Sequence, residues 1–233
     1  HLDFFKDLDD IKASFRKFAQ LVPPEGRVVA NADNPGTMDA LRGLPLFTFG
    51  CAPEADCRAE NLTWNRGRPD FDVVVGGDLY AHLSLRVAGM HNVYNALAAA
   101  AAAYTLGISG KAVRQGLEGF FGAGRRFEFK GQFNGAKIYD DYAHHPAELH
   151  ALLDMARTLG YERVICAFQP HTYTRTKALF DDFVRELKAA DLVVLTDIYA
   201  AREKNTIGIS SRDLAERIPG AAYCPSLPEA AEA

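Results

Sequence analysis

The sequence predicts an α/β fold in two domains, residues 1–123 and 124–233, the second built on a mainly parallel sheet. Three observations predict it. In the second half, the strand candidates Lys137-Ile138-Tyr139, Val164 to Phe168 and Leu192 to Leu195 alternate with segments whose apolar residues recur at helical spacing. Apolar strands separated by helices imply a parallel sheet covered on both faces. Gly122 and Gly124 fall between an amphipathic helical segment and a new strand, which is where a domain boundary is expected. A composition 48% hydrophobic and 24% charged is that of a globular chain able to build cores of ordinary size.

The elements follow in order. Ile11, Phe15, Phe18 and Val22 recur at helical spacing until Pro23-Pro24 stops them, ahead of the strand candidate Arg27-Val28-Val29-Ala30. After the turn-rich Asn31-Ala32-Asp33-Asn34-Pro35-Gly36 come a short helix, a strand around Phe47-Thr48-Phe49-Gly50, and polar β-like segments through Arg86. Seven of the eight residues from Ala96 to Ala103 are alanine, the strongest helix former, which predicts a helix that packs closely for want of side-chain bulk. In the second half the predicted helices carry the apolar faces Leu149/Leu152/Leu153/Ala156 and Leu179/Phe180/Phe183/Val184/Leu187.

Charge and cysteine usage exclude several function classes. The net charge is −4 and Lys and Arg are scattered, so the chain has neither a nucleic-acid footprint nor a basic membrane-binding face. No apolar run approaches the roughly 18 residues of a membrane span. Cys51, Cys57, Cys166 and Cys224 are dispersed without a CxxC pair, which reads as reduced thiols of a cytoplasmic protein rather than a zinc or disulfide framework. The chain starts at His1 without an initiator Met, signal or transit composition, and is read as a piece of a longer protein.

Open parallel sheets bind ligands beyond the carboxyl ends of their strands. Three loops qualify: Asp140-Asp141-Tyr142-Ala143-His144-His145-Pro146, Gln169-Pro170-His171-Thr172-Tyr173-Thr174-Arg175, and Asp197-Ile198-Tyr199. Singly, each has a bland reading: Asp140 or Asp141 as a helix N-cap before Pro146, the histidines as loop residues, Arg175 as a surface charge. Together they exceed what capping requires. Two chemistries could use the set. A metal-dependent hydrolase would take Asp140, Asp141, His144 and His145 as ligands; a ligase would hold a carboxylate or phosphate with arginine and histidine and a ribose hydroxyl with an aspartate. Residue types and spacing favour neither. The stretch Gly107-Ile108-Ser109-Gly110-Lys111-Ala112 is a decoy for a phosphate loop, because its spacing is wrong and no Ser or Thr follows the lysine.

Four motifs then settle on one resemblance. His91-Asn92-Val93-Tyr94-Asn95-Ala96, Gly124-Arg125-Arg126-Phe127-Glu128, Asp140-Asp141-Tyr142-Ala143-His144-His145-Pro146 and Phe168-Gln169-Pro170-His171-Thr172-Tyr173-Thr174-Arg175-Thr176 resemble, in order and spacing, successive signatures of the Mur ligases. The last two, with Tyr199-Ala200-Ala201-Arg202-Glu203-Lys204, are similar to the branch that adds L-alanine. The resemblance implies part of a central P-loop ATPase-like domain followed by a C-terminally incomplete Rossmann-like ligase domain. It implies ATP-dependent, Mg2+-assisted ligation of L-alanine to UDP-N-acetylmuramate through an acyl phosphate, for peptidoglycan. No UDP-binding domain and no Gly-Lys-Thr or Gly-Lys-Ser loop is present in these 233 residues, so the chain alone is expected to be inactive.

Residue by residue, the resemblance implies that Asn92 and Asn95 face the adenine, Arg126 the phosphates, and Asp141 with its neighbour Asp140 the ribose. Arg125 is expected to be a solvated charge. Tyr142, His144, His171 and Arg175 would form the L-alanine pocket; some relatives have arginine at the position of Thr172, so Arg175 is expected to carry most of the pairing with the amino-acid carboxylate. His1 resembles a histidine that helps hold magnesium in the intact enzyme. Domain closure would hinge at Gly122 to Gly124. A related ligase adding a different amine remains the nearest alternative.

Overall fold

The computed structural model describes residues 5–232. The chain divides into two compact units, His1–Gly122 and Ala123–Ala233.

In the first unit, α1 (Leu8–Ala19) begins at Asp7, whose carboxylate accepts the Asp10 N–H at 2.9 Å. Asp9 and Asp10 lie at the positive end of its dipole and Arg16 and Lys17 at the negative end. The helix stops at Ala19 with Gln20 as its C-cap, and it cannot continue through Val22, because the residue preceding Pro23 is driven out of the helical region. α2 (Pro35–Ala40) starts from an Asn34 cap with proline in its first turn. Lys12 pairs with Asp39 at 2.9 Å, and the Arg16 guanidinium donates to the Ala40 and Arg42 carbonyls, tying α1 to α2.

The sheet of this unit runs in the order β1 (Val28–Asn31), β2 (Leu46–Gly50), β3 (Cys57–Asn65), β4 (Arg68–Val75), β5 (Asp78–Ser84). The first three strands are parallel and the remaining pairings antiparallel. α3 (Met90–Thr105) buries Val93, Ala96, Leu97, Ala100 and Ala101 in one core with Phe71, Val73 and Leu83 of the sheet. Its alanines admit close approach, and the Cys57 thiol reaches the Leu97 carbonyl at 3.9 Å. α4 (Gly110–Glu118) comes closer still. A Cβ at Gly110 would stand 1.7 Å from the Tyr80 carbonyl oxygen, so only glycine fits there. The Gly107–Ala112 stretch therefore serves packing: Ser109 caps α4, and Tyr80 Oη donates to the Ile108 carbonyl at 2.6 Å.

In the second unit, β6 (Glu128–Phe133) and β7 (Ala136–Asp140) form an antiparallel hairpin. This corrects the expectation that the strand around Ile138 joins the parallel sheet. Asn134 and Gly135 both take positive φ, 47° and 85°, the geometry of a two-residue hairpin turn. A partner that close in sequence costs less closure entropy than one across a helical crossover. The parallel sheet has the order β10 (Ala222–Tyr223), β9 (Leu192–Leu195), β8 (Ile165–Phe168). α5 (Pro146–Thr158) buries Leu149, Leu153 and Ala156, and Arg157 near its end grips Asp191 with two bonds of 2.9 Å just before β9.

The helix expected over the Leu179–Leu187 face is α7 (Phe180–Leu187), and a separate short helix, α6 (Tyr173–Ala178), precedes it, with Leu179 outside the helical region between them. α8 (Ser211–Arg217) and α9 (Leu227–Glu232) complete the described chain. Leu149, Phe168, Phe183, Leu187, Val193, Leu195, Leu214 and Ile218 make the core. No helix among the described residues is long and apolar enough to cross a membrane.

Candidate functional site

Asn92 and Asn95 sit one turn apart on α3, with the Asn95 side-chain Nδ2 donating to the Asn92 side-chain Oδ1 at 3.2 Å. The Asn92 amide donates in turn to the Ala88 carbonyl at 2.7 Å. Neither is the N-cap, which is Gly89. What holds this turn is a residue the sequence reading passed over, Asp33, in the loop after β1. Its carboxylate accepts from Cys51 N–H (2.6 Å), Ala52 N–H (3.1 Å) and Tyr94 Oη (2.9 Å). Burial disfavours the Asp33 charge, but these bonds outweigh it and hold the carboxyl below its usual range. Burial and the bond to Asp33 push the Tyr94 hydroxyl upward, so it stays protonated as the donor. Gly50 is required here, since a Cβ would stand 2.6 Å from an Asp33 oxygen. The available signal was a carboxylate in a turn after a strand.

In the second unit, Asp141 joins two segments: one oxygen accepts the Phe127 N–H and the other the Ala143 N–H, each at 2.8 Å. Asp140 lies 3.7 Å from Arg125 Nε. Neither aspartate caps α5. His145 does, taking the Ala147 N–H at Nδ1, while Glu148 reaches back to the His144 and His145 N–H groups. Arg126 is exposed and its side chain has no partner among the described residues. Arg125 is exposed, as expected of a solvated charge, and its guanidinium also lies 4.6 Å over the Tyr142 ring as a cation–π partner.

The loops after β7, β8 and β9 come together through their rings. Tyr142 meets His144 edge-on at 5.2 Å, His144 meets His171 at 6.2 Å, and His171 stacks on Tyr199 at 5.4 Å. Arg175, one helical turn after His171, donates through Nη1 to the His171 carbonyl at 3.0 Å and contacts His171 Nδ1 at 3.3 Å. Arginine can only donate, so His171 Nδ1 is the acceptor and Nε2 carries the proton. Burial, with the charge of Arg175, lowers the His171 pKa and keeps the ring neutral near pH 7. His144 has the opposite tautomer: its Nδ1 donates to the Tyr142 carbonyl at 2.9 Å, leaving a lone pair on Nε2. A donor imidazole, an acceptor imidazole and a guanidinium within one ring cluster can hold a carboxylate and an amine together.

A metal-ligand reading of the first of these loops is not supported by its geometry: His145 caps a helix through Nδ1, and no group of three or more His, Cys, Asp or Glu among the described residues is arranged to hold a metal. His1 lies outside the described residues.

Comparison with known proteins bears on the whole chain. Residues 1–103 match the Mur ligase middle domain, and residues 125–233 match the family described as Mur ligase, glutamate ligase domain. Over 221 residues the chain is 47% identical to the UDP-N-acetylmuramate–L-alanine ligase of Caldanaerobacter subterraneus, covering 94% of this chain and 48% of that protein. It is 45% identical over 220 residues to the enzyme of the same name from Clostridium novyi. The crystal structure of the UDP-N-acetylmuramate-alanine ligase from Thermotoga maritima superposes with a TM-score of 0.76 at 28% identity, over 98% of this chain and 49% of that one. MurF from Acinetobacter baumannii, at 20% identity and a TM-score of 0.78, shares the fold. The chain spans about half the length of the curated relatives it matches.

Proposed function

The chain belongs to the Mur ligase family, carrying its middle and glutamate ligase domains, and from that premise we propose that it is part of an enzyme joining L-alanine to UDP-N-acetylmuramate for peptidoglycan, using ATP and Mg2+. The observation that carries the reading is an unmatched cation. Arg175 is partly buried, engaged only through Nη1 by His171, and pairs with no carboxylate among the described residues. An amino-acid substrate brings the missing carboxylate, and a guanidinium edge matches its two oxygens.

In this reading Arg175 and His171 Nε2–H take the L-alanine carboxylate, the His144 Nε2 lone pair accepts from its amine, and Tyr142 walls the pocket. Asn92 and Asn95 take the adenine, the free guanidinium of Arg126 the phosphates, and Asp141 with Asp140 the ribose. The lone pairs Asp141 does not give to Phe127 and Ala143 remain for that bond. His1 would help hold magnesium in the intact enzyme.

ATP would supply the phosphoryl group that turns the lactyl carboxylate of the sugar into an acyl phosphate; attack by the amine then forms the amide and releases phosphate. The contribution of this chain is positioning and charge neutralisation, which lower the barrier without a covalent protein intermediate. With no Gly-Lys-Thr or Gly-Lys-Ser loop, these 233 residues alone should not turn over.

The test is phosphate release by the full-length ligase with ATP, Mg2+, UDP-N-acetylmuramate and each candidate amino acid in turn. Turnover should depend on L-alanine. Arg175→Ala should raise the apparent KM for alanine about 10- to 100-fold, the loss expected of a charge-assisted pair, and leave that for ATP unchanged. Turnover with a different amine would move the assignment to a sister ligase; none with any amine would overturn it.

A further inference from the structure

We propose that Glu203, a carboxylate on the loop after β9, is a positioning residue of the amino-acid pocket: it clasps the first turn of α6 and so aims His171 and Arg175. The proposal rests on the ligase reading above and extends it to a residue that would touch no substrate.

α6 spans only six residues, Tyr173–Ala178, and its N-cap Thr172 makes no side-chain capping bond of its own. A short helix with an unsatisfied start has little intrinsic hold on its own direction. Glu203 supplies the cap from 31 residues away. Its Oε1 accepts the Thr172 hydroxyl at 2.7 Å and also the Thr174 hydroxyl, and its Oε2 accepts the Thr174 N–H at 2.9 Å. Three donors from residues 172–174 thus converge on one carboxylate, and those residues lie between His171 and Arg175. A negative charge at a helix start is favoured by the helix dipole, and bonds to an ionised acceptor are among the stronger ones a protein makes. Burial disfavours the Glu203 charge, yet the threonine bonds hold the carboxyl below its usual range.

The same loop holds the other end of the segment. The Tyr199 N–H donates to the Pro170 carbonyl at 2.8 Å, and its ring stacks on His171. Residues 199–203 therefore grip residues 170–174 at both ends. Arg175 is fastened to His171 by its own Nη1 bonds, so the direction of the guanidinium follows the segment Glu203 holds. Both oxygens of Glu203 are engaged by threonine donors, which marks it as acting through its neighbours rather than on substrate.

In the full-length ligase, Glu203→Gln removes the charge and replaces one accepting oxygen by a donor while keeping the volume. The apparent KM for L-alanine should rise about tenfold, with the KM for ATP unchanged and kcat reduced less than kcat/KM for alanine. Thr174→Val, which removes one hydroxyl and keeps the backbone bond, should give a smaller rise in the same direction. If Glu203→Gln fails to fold, the Thr172→Val/Thr174→Val double variant carries the test. An unchanged alanine KM, or equal losses in every kinetic constant, would overturn the proposal.

A second readout separates it from the ligase reading. In imidazole NMR, Glu203→Gln should shift the His171 ring resonances and lower its pKa, because the Glu203 charge favours the protonated ring. Movement of His171 without alanine-dependent turnover in the parent would retain the clasp and reject the reaction. A His171 titration identical in both proteins would reject the clasp.

Discussion

Two glycines in α4 should respond oppositely to the same substitution. At Gly110 an added Cβ would lie 1.7 Å from the Tyr80 carbonyl oxygen and 2.7 Å from its carbon, backbone atoms of β5 that cannot rotate away. Restoring a contact of about 3 Å requires a shift of more than 1 Å between helix and strand, an overpacking strain of about 1–3 kcal/mol. That shift also stretches the 2.6 Å bond from Tyr80 Oη to the Ile108 carbonyl, a further loss of about 1 kcal/mol. The alanine gains at most about 1 kcal/mol of helix propensity, so Gly110→Ala should destabilise the first unit by about 2 kcal/mol. At Gly116, exposed in the same helix, nothing lies within 4 Å of the new Cβ, and Gly116→Ala should stabilise by about 0.5–1 kcal/mol. Urea unfolding followed by fluorescence reports on this unit, because Trp64 in β3 is the sole tryptophan. If Gly110→Ala falls within about 0.5 kcal/mol of the parent, or both variants move in one direction, the packing argument is wrong.

Asp141→Asn should lower the melting temperature of the second unit in the absence of any nucleotide, by the equivalent of about 1–3 kcal/mol, because an amide nitrogen would face a backbone N–H where an oxygen now accepts. Unchanged melting would mean the carboxylate does not brace the loop. His82 lies between Asp72 at 2.8 Å and Asp70 at 3.5 Å, and its pKa is raised, first by the hydrogen bond to Asp72 and further by the two aspartate charges, against burial and Arg114. A raised folded-state pKa gives stabilisation that is complete below about pH 6.5, the unfolded value, and is lost as pH rises through the folded value. The free-energy gap between the parent and His82→Gln should therefore shrink by about 0.5 kcal/mol between pH 5.5 and 8.5, the small size reflecting solvent screening of a half-exposed pair. A pH-independent gap would refute the assignment.

The α/β class was legible in the sequence because period and propensity are local: the alanine run of α3, the proline stop after α1 and the apolar runs of β8 and β9 act within a few residues. The loops after β7, β8 and β9 were legible as candidates because topology alone directs attention to strand ends. Tertiary structure decided the rest. It paired β7 with β6 through the Asn134-Gly135 turn, set a separate short helix ahead of α7, laid Arg125 over Tyr142, and turned Asp141 into a brace between Phe127 and Ala143. It also brought Asp33 to Tyr94 across 61 residues and Glu203 to Thr172 across 31. Such bonds leave no periodic trace, because a carboxylate reads the same in sequence whether it faces water or three backbone and hydroxyl donors; only the folded chain decides which groups lie within 3 Å of it.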